Sequence, residues 1–443
     1  MSSFKPTSAL LCLLCLALPA ISEKPNDNRT SSSDSRGSDS SSDMTKEITR
    51  DVGGKTFEEW KKELKDLDPS VRANALVAIV QFKQRDQAAA NIVGVLQGDR
   101  DASPRVKAAY ALRMIRPSPA DRLRVIQALG YAISHDPQGV VRYEAVVSLM
   151  WHCPLKGKEE RAIIQDILVS VGVPITFDLR GACIETLMAV GVDPDTGPDP
   201  RVTRALIERA SPGHEPTAQV RLKAIMALGI MGRPQKPSDW DQVRIILSSA
   251  SKIRGLHNKT IRMWSHVSLM ALEEKVNEKD LKEIAGYLKE HEAAIRVQAV
   301  TALGALEGKS KAYIPDLCDM VLRPKKPEDD TMVLLSIATA LGHMKNNGDR
   351  VQRTLIHLTE FEEEKWQDVV LAACNSMAQL RLNGPEAIEA MEKVKKHVSL
   401  KDYRKDLIPK YIETAKSLAE KTKAKDVGKN LDKTTGTPAK KGR

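Results

Sequence analysis

Two His-Glu dipeptides, His214-Glu215 and His291-Glu292, are the side chains of this sequence best suited to holding a metal ion. Imidazole and carboxylate groups are common ligands of catalytic zinc and iron. A metal centre nevertheless needs several ligands that converge in space. Both dipeptides fall in predicted turns between helices, so we interpret them as chance pairs and predict no metal site.

Other catalytic patterns are missing from the sequence. It contains no phosphate-binding loop, no Gly-x-Ser-x-Gly elbow and no His-Glu-x-x-His zinc helix. The one Cys-x-x-Cys pair, Cys12 and Cys15, lies near the N-terminus and lacks the following His of a haem attachment site. We therefore predict a protein with no catalytic residues and no cofactor.

A short pattern recurs nine times along the chain and dominates its organisation. An aliphatic anchor, usually followed by Arg or Lys, precedes a small residue four positions later and Leu, Ile or Met eight positions later. The anchors are Val71, Val106, Val141, Leu179, Val220, Ile261, Ile295, Val333 and Val369. Successive anchors are 34 to 41 residues apart, which is the range of repeats built from two helices.

The repeated pattern predicts helix pairs that cannot stand alone. In the second helix of each pair, the anchor and the residues four and eight positions later share one face, which must be buried. One pair cannot hide that face, so each repeat packs against the next. Aromatic residues make up only 4% of the chain, and a large sheet is not expected. The sequence predicts an all-α fold, an α-solenoid of about ten antiparallel helix pairs.

The anchor segments resemble the HEAT-repeat family, especially its bacterial forms, among them the HEAT-like repeats of the phycobilin lyase group. Segments that carry the resemblance include Asp68-Pro69-Ser70-Val71-Arg72 and Ala294-Ile295-Arg296-Val297-Gln298-Ala299. The likeness covers roughly residues 56–400 and weakens where Leu334 and Val370 replace the basic residue. The resemblance implies a superhelix of stacked helix pairs, with a ladder of ion pairs running along it.

Two enzymatic or pigment-handling branches of this family do not fit the sequence. The hydroxylase branch holds two iron ions with His-Glu dipeptides directly after the aliphatic-Arg pair, where this chain has residues such as Tyr143-Glu144 and Leu222-Lys223. The phycobilin lyases act inside the cell and are generally shorter, whereas this chain carries an export signal. A HEAT-based metalloenzyme or enzyme accessory subunit remains the alternative function.

Most anchors are followed by a basic residue, and these basic residues have two interpretations. Its members are Arg72, Lys107, Arg142, Arg180, Arg221, Arg262 and Arg296. They can pair with Asp or Glu of neighbouring repeats, where each exposed pair contributes at most about 1 kcal/mol. Alternatively, members without such a partner can bind an acidic ligand. We favour the structural interpretation and keep Arg221, Arg262 and Arg296 as candidate partner-binding residues.

Two of the five Trp residues are candidates for contact with a partner, because Trp is enriched where interfaces concentrate their binding energy. Trp264 follows its anchor by three residues, and Trp151 comes just after a predicted second helix. Both positions favour the inner groove of the superhelix. Buried core packing is the alternative for each.

The N-terminus has the pattern of an export signal. Lys5 precedes the apolar stretch ALLCLLCLALPA, and small residues at Ala20 and Ser22 suit signal peptidase. The apolar stretch is too short to span a bilayer, which needs about 20 residues. We predict a signal peptide at 1–22 and a Ser/Asp-rich disordered linker at 23–52.

The remaining chain divides into the solenoid, predicted at 53–422, and a Lys-rich disordered tail at 423–443. The net charge of +10 is concentrated at the C-terminal end, because residues 416–443 contribute +6 and Lys5 another +1. The body keeps +3, too little for a groove that follows a phosphate backbone. We predict no nucleic-acid partner, and a peripheral contact of the tail with an anionic envelope surface.

These features predict a non-catalytic scaffold, located in the periplasm or secreted. Its concave face, lined by the second helices, is expected to bind a protein or an extended peptide. The cysteines that follow the leader, Cys153, Cys183, Cys318 and Cys374, form no disulfide framework. We expect structural packing for Cys183 and Cys374, with a disulfide as the alternative.

Overall fold

A computed structural model describes residues 51–172, 176–193, 195–255, 258–325, 327–397 and 405–417. The predicted signal peptide, most of the predicted linker and the Lys-rich tail lie outside these residues. The described α-helices of the first half are α1 Phe57–Glu63, α2 Pro69–Ile79, α3 Ala89–Gly98, α4 Ala102–Met114, α5 Pro119–His135, α6 Gly139–Met150, α7 Gly157–Arg161, α8 Ile164–Gly172, α9 Phe177–Val190, α10 Pro200–Ala210, α11 Ala218–Met231 and α12 Pro237–Ala250.

The described α-helices of the second half continue the series. They are α13 Lys259–Leu272, α14 Glu278–Gly286, α15 Ala293–Ala305, α16 Ile314–Leu322, α17 Thr331–His343, α18 Asp349–Leu358, α19 Gln367–Gln379 and α20 Pro385–Val394. Short 3-10 helices occupy Lys83–Ala88, Tyr287–Lys289, Glu307–Tyr313 and Glu364–Trp366. Residues 407–417 form a further helical stretch. The predicted all-α solenoid fold is confirmed.

The helices alternate between two layers, which we call A for the first helix of each pair and B for the second. The chain forms two compact units, the first ending at Ala250 and the second beginning at Ser251. In the N-terminal unit, each B helix packs on the next through the series α2, α4, α6, α9 and α11, and the A helices stack in parallel through α3, α5, α8, α10 and α12. Apolar residues between the layers form its core.

The C-terminal unit repeats this arrangement. Its B helices α13, α15, α17 and α19 pack in sequence, and its A helices α16, α18 and α20 stack beside them. Within this unit the anchors Ile261, Val333 and Val369 are at most 2% exposed, as the periodic pattern predicts, whereas the anchor Ile295 is only half-buried.

Short polar residues start many of these helices. Thr56 forms a capping box with Glu59, which satisfies two of the backbone N–H groups that a helix start leaves free. Asp68 and Asp199 accept backbone N–H bonds ahead of a Pro in the first turn, where its missing N–H costs nothing. Pro at these positions therefore fixes the entry of each helix without breaking it.

An Arg-carboxylate ladder joins neighbouring repeats, and its register is set by the helix N-cap. In each rung, an Arg four residues after the N-cap reaches a carboxylate two residues before the N-cap of the next B helix. Nε and Nη2 of the Arg donate to both oxygens of that carboxylate. These rungs are Arg72 with Asp99, Arg105 with Asp136, Arg180 with Glu215 and Arg296 with Glu328.

Each ladder carboxylate also receives the backbone N–H of the N-cap that follows it, as Asp99 does from Asp101 at 3.0 Å. In three of the rungs Nη1 of the Arg donates to two carbonyls five and six residues earlier, as Arg105 does to Asp99 and Arg100. One rung therefore fixes the turn before its own helix and the turn of the next repeat.

The second repeat corrects one sequence prediction. Lys107, expected in the ladder because it follows the anchor Val106, is exposed, and Arg105 takes the ladder position. The N-cap of α4 is Asp101, so the fourth residue after it is Arg105. Ladder register is counted from the N-cap, and in this repeat the aliphatic residue follows the Arg instead of preceding it.

One local feature interrupts the helix pairs. Val192–Asp193 and Gly197–Pro198 form an antiparallel pair of two-residue strands between α9 and α10, which the sequence did not predict.

All four described cysteines are free, and Cys183 and Cys374 are fully buried in B helices. Burial raises the pKa of each of these two thiols to about 12, so both remain protonated packing groups.

Candidate partner-binding surface

Trp264 lies in the interior and not on an open groove. Its side chain in α13 is 2% exposed, and its Nε1–H donates to Gln298 Oε1 in α15 at 2.8 Å. The two residues occupy the same register position, six after their N-caps, in adjacent B helices. The prediction placed Trp264 on the groove-facing side of its helix, but the structure leaves this ring no surface for a partner.

The three candidate Arg residues also have intramolecular roles. Arg296 forms a full ladder rung with Glu328. Arg262 forms an ion pair with Glu283 at 3.0 Å and donates to the hydroxyl of Tyr287. Arg221 donates through Nη1 to the carbonyls of Glu215 and Pro216.

Among the predicted partner-binding residues, Trp151 alone has a large exposed surface. It is the C-cap of α6 and is 71% exposed. Val140 and Tyr143, on the same helix, are 63% and 42% exposed. Together with the half-buried Val147, their spacing of three, four and four residues aligns them on one side of α6. We call these four residues the α6 stripe.

A polar network holds the loop that follows Trp151. His152 is buried, and its Nε2 lies 2.9 Å from the carbonyl of Leu112 in the preceding B helix. Arg122 of α5 donates to the carbonyls of His152 and Pro154 and to the carboxylate of Glu160. Burial lowers the pKa of His152, so the neutral imidazole donates its Nε2–H. These hydrogen bonds fix the loop to which the exposed Trp151 side chain is attached.

The charges of three carboxylates act on Tyr143, which lies near the middle of the α6 stripe. Burial raises the pKa of the Tyr143 hydroxyl, and the charges of Glu185, Asp178 and Glu144 raise it further, whereas Arg113 opposes them. We call these three residues the carboxylate cluster. Asp178 is exposed, and neither a hydrogen bond nor an ion pair is found for its side chain in the described part of the chain. Phe177, beside Asp178, is 45% exposed.

The other two carboxylates of the cluster are partly neutralised within the molecule. Glu144 Oε1 lies 3.5 Å from Arg113 Nη1 but is buried without a hydrogen bond. Burial raises the pKa of Glu144, with Arg113 and Lys107 acting against it. Glu185 Oε1 is 2.7 Å from Lys223 Nζ.

Gly181, in α9, leaves room for the side chain of Lys223 from α11. It occupies the position in α9 that Tyr143 occupies in α6, five residues after the N-cap. A methyl group at Gly181 would lie 2.8 Å from Lys223 Nζ and 3.3 Å from its Cδ. The end of the Lys223 side chain therefore occupies the space that the missing side chain leaves.

Sequence reasoning found Trp151 but missed Tyr143, Val140 and Phe177. A usable signal existed for Val140, because it stands two residues after the N-cap, where the neighbouring B helices carry Ser103, Asp178 and Gln219. An N-cap register would have shown Val140 as a misplaced apolar side chain. The anchor pattern did not, because it follows only the buried face.

Family comparison agrees with the repeats seen in the first three helix pairs. Residues 57–150 match the family of HEAT repeats. The HEAT match spans α1 to α6, about a fifth of the chain, and includes every residue of the α6 stripe except Trp151. No curated protein shows significant sequence similarity to this chain.

Several solved structures share the helical architecture at low identity. An engineered protein covers 81% of this chain and 98% of its own, with 14% identity and a TM-score of 0.37. YibA of E. coli covers 73% of this chain and 92% of its own, with 15% identity and a TM-score of 0.36. Kap95p, in a complex with RanGDP, covers 77% of this chain and 50% of its own, with 12% identity and a TM-score of 0.40. At these values the likeness says nothing about what this chain binds.

The described part of the chain offers neither a metal site nor a membrane-spanning helix. Within the described residues, no group of three or more His, Cys, Asp or Glu side chains has an arrangement that could hold a metal ion. His214 and His291 lie in turns, as predicted. No described helix is both long enough and apolar enough to cross a bilayer.

Proposed function

We propose that this chain is a non-catalytic HEAT-repeat scaffold of bacterial type that works outside the cytoplasm. It binds a protein or an extended peptide on the exposed surface of the B helices in its N-terminal unit. The α6 stripe is the centre of that surface, with Trp151 as its main anchor.

One observation carries the proposal: Trp151 is 71% exposed although its loop is fixed by buried hydrogen bonds. Exposing a large aromatic ring costs solvation free energy, and a fixed ring loses little conformational entropy on binding. Binding hot spots have this character, with rigid Trp or Tyr side chains near the centre of an interface. The two-layer stack supports the proposal, because repeat folds offer long continuous surfaces.

Affinity purification under native conditions tests this proposal. The wild-type chain is expected to retain a defined protein partner, and Trp151→Ala to lose most of it. Ile245→Ala is the matched control, because Ile245 is 64% exposed but lies on the A helix α12. Equal retention by wild type and Trp151→Ala contradicts the proposed surface. Turnover of a substrate by the purified chain contradicts the non-catalytic part.

Export and tail contact form separate parts of the proposal. The apolar segment after Lys5 supports export, and the Lys-rich residues 423–443 support contact with an anionic surface. Mass spectrometry of the mature N-terminus is expected to show cleavage after Ser22. An uncleaved N-terminus contradicts export. Deletion of residues 423–443 is expected to release part of the protein from the envelope fraction, and unchanged retention contradicts tail contact.

A further inference from the structure

We propose that the exposed surface of the neighbouring B helices α4 and α6 binds a second copy of this chain, so that the protein forms a symmetric homodimer. This inference rests on the proposed function, because it names the partner of the surface around the α6 stripe. The two copies are related by a two-fold axis parallel to α4 and α6, which places α4 of each copy on α6 of the other.

The helix α4 carries an apolar stripe of its own beside the α6 stripe. Its members stand five, nine and thirteen residues after the N-cap of α4 and are Val106, Tyr110 and Met114. Met114 is 43% exposed, and the other two are half-buried. The residues at the same distances from the N-cap of α6 are Tyr143, Val147 and Trp151. Because α4 packs directly on α6, the two stripes run side by side for roughly 12 Å.

The side chains of the two stripes complement one another in size. At each of the three levels along the helices, one stripe has an aromatic ring and the other has a smaller apolar side chain. The residues at equal levels are Val106 with Tyr143, Tyr110 with Val147, and Met114 with Trp151. The two-fold axis keeps the level and exchanges α4 with α6. Each exposed ring therefore faces a smaller apolar side chain of the second copy, which removes both from water.

The charges beside the two stripes are complementary under the same axis. Lys107 on α4 and Asp178 on α9 are exposed, and neither side chain forms a hydrogen bond or an ion pair within the described residues. The B helices follow one another in the order α4, α6, α9, so the axis brings Lys107 of each copy towards Asp178 of the other. An axis across the helices would instead gather both lysines on one side and both aspartates on the other, which like-charge repulsion opposes.

The charged residues between the two stripes are already paired within one chain. Arg113 of α4 has its Nη1 atom 3.5 Å from Oε1 of Glu144 in α6, and its guanidinium carbon lies 4.7 Å from the centre of the Tyr110 ring. The contact between copies therefore covers an ion pair and not a single charge. A single buried charge would oppose association strongly.

Sedimentation velocity of the purified full-length protein at increasing concentration tests the inference. The wild type is expected to shift from monomer to dimer. Trp151→Ala is expected to raise the dimer dissociation constant about tenfold or more, because it removes the largest buried ring from both halves of the interface.

Charge reversal tests the arrangement of the two copies. Lys107→Glu and Asp178→Lys are each expected to weaken the dimer, because like charges then meet at two places. An equimolar mixture of the two variants is expected to restore association, since both substituted residues face an opposite charge in the mixed dimer. Lys158→Glu, at an exposed lysine of α7, is the charge-matched control and leaves the dimer unchanged.

The outcomes separate this inference from the proposed function. A wild type that stays monomeric at every concentration but retains a different protein in affinity purification overturns only the homodimer. A dimer that Trp151→Ala does not weaken, or that the variant mixture fails to restore, also overturns it. Absence of both a dimer and a retained protein overturns the proposed binding surface as well. Circular dichroism of each variant confirms that the helical fold is kept.

Discussion

Arg180 and Glu215 form a two-pronged ion pair between neighbouring repeats, with Nε and Nη2 donating to the two carboxylate oxygens at 2.8 and 2.9 Å. The Glu215 side chain is fully buried and the Arg180 side chain is 10% exposed. The pair joins α9 to the turn before α11, next to the proposed binding surface. It is one rung of the ladder that holds successive B helices in register.

Removing one member of this pair is expected to destabilise the N-terminal unit strongly. Arg180→Met leaves the Glu215 carboxylate buried without its main partner, at a cost of about 3 kcal/mol. Replacing both residues by Leu is expected to cost less, because no charge is then left unpaired. Urea denaturation of the two variants measures the difference. A single variant as stable as the wild type contradicts a stabilising ladder, and Lys393→Met, in an exposed pair with Glu389, is the control.

The same pair predicts a loss of stability in acid. Burial alone would raise the pKa of Glu215, but hydrogen bonds from Arg180 and Thr217 outweigh it and hold the pKa below the ordinary 4.5. The unfolded chain therefore takes up a proton at higher pH than the folded chain does. The stabilisation is complete above about pH 4.5 and is lost as pH falls through the folded pKa.

Glu215→Gln removes that titration. Between about pH 5 and pH 3 this variant is expected to lose less stability than the wild type, although it starts from a lower value. Denaturation curves at successive pH values give both slopes. Glu159→Gln serves as the control and should keep the wild-type slope. Identical slopes for Glu215→Gln and wild type would show that Glu215 is not held ionised by the ladder.

His152 predicts a second pH effect at milder acidity. Burial lowers its pKa below 6.5, against the opposing effect of its hydrogen bond to Leu112. Below about pH 6.5 the unfolded chain binds a proton that the folded imidazole does not, so stability falls until the folded imidazole also protonates. His152→Gln keeps an N–H donor and should flatten the slope by at most about 1.4 kcal/mol per pH unit. Urea denaturation at pH 7, 6 and 5 measures it, and an unchanged slope contradicts a buried neutral His152.

Trp151 and Trp264 are expected to respond oppositely to substitution. Trp151→Ala should weaken partner binding by about 2 kcal/mol or more, as hot-spot truncations do, with little change in melting temperature. Trp264→Ala should lower stability by about 3 to 5 kcal/mol, because it empties a buried site. Calorimetric unfolding and partner titration separate the two effects. Loss of stability in Trp151→Ala with unchanged binding would reverse the roles assigned here.

The sequence predicted the fold well because the buried face repeats. Anchors such as Val141 and Val220 are at most 1% exposed, and their spacing alone specifies paired helices that stack. The sequence correctly predicted a ladder of ion pairs between repeats, but it assigned Lys107 to the ladder where the structure has Arg105. Its register depends on the N-cap Asp101, and the aliphatic anchor does not mark that residue in every repeat.

The candidate surface was predicted only in part. Trp264 was predicted to face the groove, but Gln298 of the neighbouring helix receives its N–H and the ring is buried. That outcome depends on a contact between repeats, which the spacing within one helix does not specify. The contact of Lys223 with Gly181 also arises between repeats, because Gly181 leaves space in α9 that a side chain from α11 fills.

Site-specific photo-crosslinking tests the central claim, that a partner binds the B-helix surface around the α6 stripe, most directly. Benzoylphenylalanine replaces Tyr143 of α6 in one protein and Tyr131 of α5 in another, since these tyrosines are 42% and 56% exposed on a B and an A helix. Irradiation in the native cell is expected to give a discrete crosslinked partner from position 143, lost when Trp151→Ala is added, and none from position 131. Crosslinks from position 131 with none from position 143 would contradict the account.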